Sequence, residues 1–282
     1  VVLYVAPILL LLLGHLTWLV KTRKSLGAHI WEYASSGLGI ILGFLAIITA
    51  RSEGAALAVI AAAIVFGLLA SKKSRLITAG IIIVGGIVLG VVQPLQTYVF
   101  DKVMLRDFSG QVRRAQWKET WKMLRDDRII TGAGLAQYQK AVKPYHQEGI
   151  FVKDYHDPDF QKKVVFNAVF RDSVWQPLEI YLYPHNVMLN FWTELGLAGV
   201  IIFSLLVISF FYYGFSAFCQ AYKTNDPFRY IILGVTLALL VSLIHGIVDV
   251  PYLKNDLAAL FWILFAMMGV ISIMYRKQIS KN

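Results

Sequence analysis

Thiols are nearly absent. Cys219 is the only cysteine in 282 residues, so no intrachain disulfide can form and nothing suggests a thiol-based metal site. Charge is scarce too: 16% of residues are charged and 57% are hydrophobic, with a mean hydropathy of +0.61, too apolar for an ordinary soluble domain of this length. There is no internal repeat and no low-complexity run. The chain opens on Val1 with an apolar stretch and no charged n-region, which is not the pattern of a cleavable signal peptide, and we expect it to be the later part of a longer protein.

What the chain has instead is long uncharged runs. A bilayer core is crossed by roughly 17 to 25 mostly apolar residues in a helix, and about seven such runs are present. They lie near 1–20, 34–50, 54–70, 76–93, 190–215, 230–247 and 257–274. The expected fold class is an all-α, polytopic integral membrane protein in contact with the lipid bilayer. Gly86 and Gly90 form a GxxxG in the fourth run, which predicts close helix packing there.

A formal net charge of +10 raises the question of nucleic acid, but the cations follow topology. Lys21, Arg23 and Lys24, then Lys72, Lys73 and Arg75, then Lys223 and Arg229, then Arg276, Lys277 and Lys281 fall in alternate connections. The positive-inside rule makes these cytoplasmic, and anchoring to anionic lipid accounts for them, so no nucleic-acid partner is expected. The other short connections hold only Arg51 and Lys254.

These runs divide the chain into four membrane helices over 1–93, one long segment over 94–186 that the alternation puts on the extracytoplasmic side, and three helices over 187–282. The long segment is too aromatic for disorder, with Trp117, Trp121, Tyr138, Tyr145, Tyr155, Trp175, Tyr181 and Tyr183 available for burial. Within it, residues 111–127 read as an amphipathic helix with Arg114, Trp117, Trp121 and Leu124 on one face, ended by a glycine turn at Gly132 and Gly134.

Several polar residues are not explained by topology. Arg51, with Glu53 two residues on, is either a snorkelling arginine or local pair, or an anion clamp whose guanidinium fork suits a lipid diphosphate; Arg113 and Arg114 have the same chemistry. His185, between Pro184 and Asn186, is either a residue at a helix N-terminus capped by Asn186, or a general base. Glu194 is expected to face the bundle interior, hydrogen-bonded or paired. His245 and Asp249 are spaced i, i+4 on one helical face, beside Lys254 and Asp256, and a supporting hydrogen-bonding role is expected. The run 154–160, with Asp154, His156, Asp157 and Asp159, lacks the glycine and terminal glutamate of a calcium loop, so no metal is expected.

The string HNVMLNFWTELGLAGVI resembles the hallmark of the O-antigen ligase-like superfamily of ligases, Wzy-type polymerases and O-oligosaccharyltransferases, through His185, Asn186, Leu189, Glu194, Leu195, Gly196 and Gly199. Arg51 in TARSEGAALAV falls on that superfamily's functional arginine, with Ala50 where a serine is usual. Arg113 and Trp117 match its Arg-x-x-x-Trp helix, and GAG at 132–134 its following turn, with Ile129 where a proline is usual. HGIVDVPYLKNDLAALFW is similar to the last outer turn of many members.

The resemblance implies a GT-C-type membrane glycosyltransferase of about a dozen spans, of which this chain holds the last seven. It further implies an active site on the outer face of a bacterial inner membrane and no cofactor. The donor is a glycan on undecaprenyl diphosphate and the acceptor a hydroxyl of lipid A-core, polysaccharide or protein. On that reading His185 is the base, Arg51, Arg113 and Arg114 bind the diphosphate, and Asn186, His245 and Asp249 support them. The alternative class is a transporter or flippase for a lipid-linked or anionic solute, which would place polar groups near the bilayer midplane. A noncatalytic scaffold would tolerate replacement of His185, Arg51 and Arg113.

Overall fold

Inside a bilayer every backbone amide must find its partner within the protein, which uncharged runs achieve by coiling. The computed structural model describes residues 2–250 and 255–279. Its helices are α1 (Val2–Lys21), α2 (Ile30–Thr49), α3 (Glu53–Ala70), α4 (Lys72–Val91), α5 (Gln93–Val103), α6 (Phe108–Met123), α7 (Tyr138–Val142), α8 (Phe160–Phe166), α9 (Ala168–Val174), α10 (Val187–Lys223), α11 (Arg229–His245) and α12 (Asn255–Ile279). Two short antiparallel strands, β1 (Gly149–Phe151) and β2 (Trp175–Pro177), pair in the middle. Among the described residues six helices, α1 to α4, α10 and α12, are long and apolar enough to cross a membrane, so the chain is an all-α polytopic membrane protein. The remaining apolar run, α11, is shorter at 17 residues.

The chain folds as two compact units, residues 1–82 with 203–282, and residues 83–202. In the first, α11 is central, and most of its residues are buried. It crosses α1 at glycines: a Cβ on Gly14 would come within 2.6 Å of the Tyr230 carbonyl, and one on Gly234 within 2.8 Å of the Leu10 carbonyl. Close backbone approach of this kind holds helices together in lipid, where apolar burial between helices gains little. The expected GxxxG is not where it occurs: Cβ atoms on Gly86 and Gly90 would meet nothing within 4 Å. Aromatic contacts tie α10 to α12, with Phe210 and Phe265 centroids 5.0 Å apart.

In the second unit a small core of Met123, Leu124, Tyr138 and Val142 gathers Trp121, Tyr145, Ile180, Leu189 and Trp192 around it. Burial pushes the Tyr138 hydroxyl up to about 12. That hydroxyl is 2.8 Å from Thr120, whose own proton goes to the Gln116 carbonyl at 2.7 Å, so Tyr138 is the donor. The amphipathic helix is present as α6, but its buried face is Gln116, Glu119, Thr120 and Met123, and Arg114 is exposed. The apolar spacing misleads because Glu119 is buried with partners, accepting from the Gln147 amide at 2.9 Å and lying 3.3 Å from the His146 ring. The helix α5, entered through Pro94 in its first turn, stands where the sequence reading began a polar segment.

Candidate active site

Three residues turn α2 into α3, and Arg51 is the middle one. Its φ is +49° and its amide donates to the Ile48 carbonyl at 3.1 Å, the left-handed position just past a helix end that glycine or asparagine usually fills. An arginine there costs on the order of 1 kcal/mol in backbone strain, and its side chain is exposed. At the same end of this unit His245 closes α11, 6% exposed, with its ring Cδ2 and Nε2 3.4 and 3.6 Å from where a Gly54 Cβ would sit. The imidazole therefore lies against the first turn of α3, three residues past Arg51. Asp249 does not share a helical face with it, because α11 stops at His245 and Asp249 sits in the turn beyond, accepting from the Val250 amide at 2.8 Å. Lys254 lies outside the described residues, as does the side chain of Asp256.

The other candidates belong to the second unit. Asp107 caps α6 by accepting from the Gly110 amide at 3.2 Å. Arg113 and Arg114 are neighbours on that helix and diverge: Arg113 donates to Ser109 Oγ at 2.8 Å, whereas Arg114 donates to the Tyr155 hydroxyl at 3.2 Å. One turn after Arg113, the Trp117 indole donates to the Pro184 carbonyl at 2.8 Å. This bond pins the residue immediately before His185 to the edge of α6 that carries Arg113.

His185 has φ +43°, so it too occupies the left-handed region. Asn186 then starts α10, its side-chain oxygen accepting from the Leu189 amide at 3.0 Å. The His185 ring is flanked by Tyr181 at 5.1 Å, edge on, and Tyr183 at 4.8 Å. From the sequence these tyrosines are expected only as core; their i−4 and i−2 spacing in the non-helical YLYPH is the available signal.

Below Asn186 the helix breaks. Gly196, at φ +70° and ψ −168°, interrupts α10 and frees the Thr193 carbonyl and the Leu197 amide. Both are taken by the turn around Gly132: the Ala133 and Gly134 amides donate to Thr193 at 2.6 and 3.1 Å, and Leu197 donates to the Ile130 carbonyl at 2.9 Å. The Ala136 amide donates to Glu194 at 2.8 Å, and the Trp192 indole to the Ile129 carbonyl at 2.6 Å. Glu194 is thus hydrogen-bonded, by the segment that follows α6. A Cβ on Gly196 would strike the Ile130 carbonyl, and one on Gly132 would sit 2.7 Å from the Thr193 carbonyl.

Two other features lie apart from these residues. A five-residue π turn, Leu124–Arg128, ends α6 beside a cavity of about 320 Å³ lined by Asp127, Arg128, Ala133, Gln137, Lys140 and Tyr145, and neither Arg113, Arg114, His185 nor Asn186 lines it. The Tyr145 hydroxyl donates to the Asp126 carboxylate, which holds the phenol above its usual range. The run 154–160 folds with its polar side chains partnered, His156 2.7 Å from Asp101 and Asp157 2.8 Å from Lys163.

The family model of the O-antigen ligase matches residues 38–204, more than half of the chain. The chain belongs to the O-antigen ligase family. No curated protein matches it. Membership makes it a glycosyltransferase-type enzyme of polysaccharide biosynthesis. The O-antigen ligase match includes Arg51, Arg113, Arg114, His185 and Asn186, and ends before His245 and Asp249. In this chain the Glu-Leu-Gly string is a joint, and His185 and Asn186 stand nine and eight residues before its glutamate.

Proposed function

We propose that the protein is an inverting, metal-independent glycosyltransferase on the extracytoplasmic face of a bacterial inner membrane. It is a GT-C-type enzyme in which α11, the shortest of the apolar helices, is a seventh span beside the six long ones. It takes a glycan from undecaprenyl diphosphate and joins it to an acceptor hydroxyl of lipid A-core, a growing polysaccharide or a protein. The supporting observation is the 2.8 Å bond from Trp117 to the Pro184 carbonyl, which couples the helix carrying Arg113 to the residue before His185.

His185 accepts the proton of the acceptor hydroxyl as that oxygen attacks the anomeric carbon. The bond from that carbon to the diphosphate oxygen breaks, and its electron pair leaves with undecaprenyl diphosphate. Arg51, Arg113 and Arg114 neutralise the charge that accumulates on the leaving group, an electrostatic role suited to groups that never deprotonate. Asn186 orients the His185 backbone by starting α10, and His245 and Asp249 support the turn at Arg51. Arg51 and His185 both hold left-handed backbone conformations, as do Arg23, Leu105, Ala136 and Asn225.

The test is transfer from lipid-linked donor in membranes carrying the full-length protein. His185→Ala should lower the rate by roughly 10²- to 10⁴-fold, the range of a lost general base, with unchanged expression. Activity near wild type sinks the assignment.

A further inference from the structure

The two most exposed large apolar side chains of the second unit stand together at the corner between α8 and α9. Phe166 is 82% exposed, Val169 81% and Val165 57%, and Trp175 just beyond is 41% exposed although large aromatic residues usually find cover. This corner is built, not frayed. Phe160 and Val164 are buried at its base, the Phe160 and Phe170 rings pack edge to face at 5.7 Å, and Asn167 caps α9 by accepting from the Phe170 amide at 3.0 Å. The fold therefore holds the corner rigid and leaves its apolar tip outside.

The surroundings identify the cover. Residues 92–186 join two helices able to cross a membrane, α4 and α10, so the segment leaves and re-enters the bilayer at the same surface. Directly after α4 comes α5, which has no buried residue and exposes Tyr98, Phe100 and Val103. From α5 the Asp101 carboxylate holds His156 at 2.7 Å, four residues before α8 begins, and Arg106 lies between the Phe100 and Tyr155 rings at 4.6 and 4.9 Å. The corner thus hangs from the element that leaves the bilayer. Exposed Lys162 and Arg171, the latter 3.7 Å from the exposed Asp172 carboxylate, flank the apolar tip, the pattern of a segment lying at a phospholipid interface, with apolar side chains in the acyl boundary and cations at the phosphates.

We propose that the α8–α9 corner is a membrane-inserted foot: Val165, Phe166 and Val169 enter the leaflet at which residues 92–186 emerge, with Lys162 and Arg171 at the headgroup phosphates. It fixes the height of this segment above the lipid, and nothing in it depends on the glycosyl-transfer reading.

The experiment uses the full-length protein with Cys219→Ser, carrying Phe166→Cys or, separately, Val169→Cys, labelled with an environment-sensitive fluorophore and placed in phosphatidylglycerol-containing nanodiscs. A Glu148→Cys variant, at an exposed polar site, is the reference. Insertion gives blue-shifted emission at 166 and 169, and quenching by doxyl lipid at least threefold stronger than at 148, with weak quenching by iodide. Strong iodide quenching without a doxyl effect overturns the proposal. Shielding from both quenchers also overturns it in favour of a protein cover, and bismaleimide cross-linking at 166 would identify that cover as a second copy.

Discussion

Arg51 and His185 show how a single residue can be kept against its own backbone preference. Glycine at either position would relax the left-handed conformation, so Arg51→Gly should leave melting in detergent unchanged or raise it by a few degrees while transfer is lost. Arg51→Lys separates charge from geometry: a bidentate clamp loses most of its activity with lysine, whereas a headgroup anchor keeps it. Neither strain was legible in the sequence, because composition and spacing say nothing of φ; what was legible was that these two side chains had no topological reason to be there. Asp157 and Lys163 make a different point. Donation from Lys163 holds the Asp157 carboxyl below its usual range, and acceptance by Asp157 holds the Lys163 amine above its own. Asp157 thus contributes above the ordinary carboxylate value of 3.8 and is lost as pH falls through its lowered one, whereas Lys163 contributes below 10.5 and is lost as pH rises through its raised one. Amide exchange in α8, corrected for intrinsic rate, should accelerate outside that window, and Asp157→Asn should flatten the dependence.

Among the elements, α10 departs most from its sequence pattern. Hydropathy located its middle and the asparagine its start, but an unbroken apolar run gives no sign of the break at Gly196, which exists because residues 130–134 supply the hydrogen bonds the helix gives up. The prediction is severe: Gly196→Ala demands a backbone conformation that only glycine adopts readily and drives a Cβ into the Ile130 carbonyl, so the protein should aggregate on solubilisation as judged by size exclusion. Gly134→Ala, at φ +93° but with its Cβ meeting only Gln137 at 3.9 Å, carries backbone strain without the clash and should be milder. The α6 tether has a functional test. Trp117→Phe keeps the ring and removes the donor to Pro184, so activity should fall about tenfold or more with melting lowered by no more than the loss of about 1 kcal/mol implies. The buried face of α6 was misread because Gln116 and Glu119 are polar, and their burial depends on partners far along the chain that no local pattern contains.

For the whole molecule, counting apolar runs and cations sufficed to establish an all-α membrane protein, because hydrocarbon leaves helices as the available answer for a single chain of such runs. Packing was less legible: the Gly14–Gly234 crossing joins residues far apart in the chain, whereas the local GxxxG stands open. The proposed orientation is testable with a membrane-impermeant thiol reagent on intact cells. In a Cys219→Ser background, Lys140→Cys should label from outside, and Lys73→Cys and Thr224→Cys only after permeabilisation; the reverse pattern would invert the topology. The joint at Gly196 also bears on how such a chain can change length over evolution. Residues 124–136 are stitched at both ends into neighbours, so one added residue there would misplace every bond at the break. Insertions and deletions among homologues should therefore avoid this stretch.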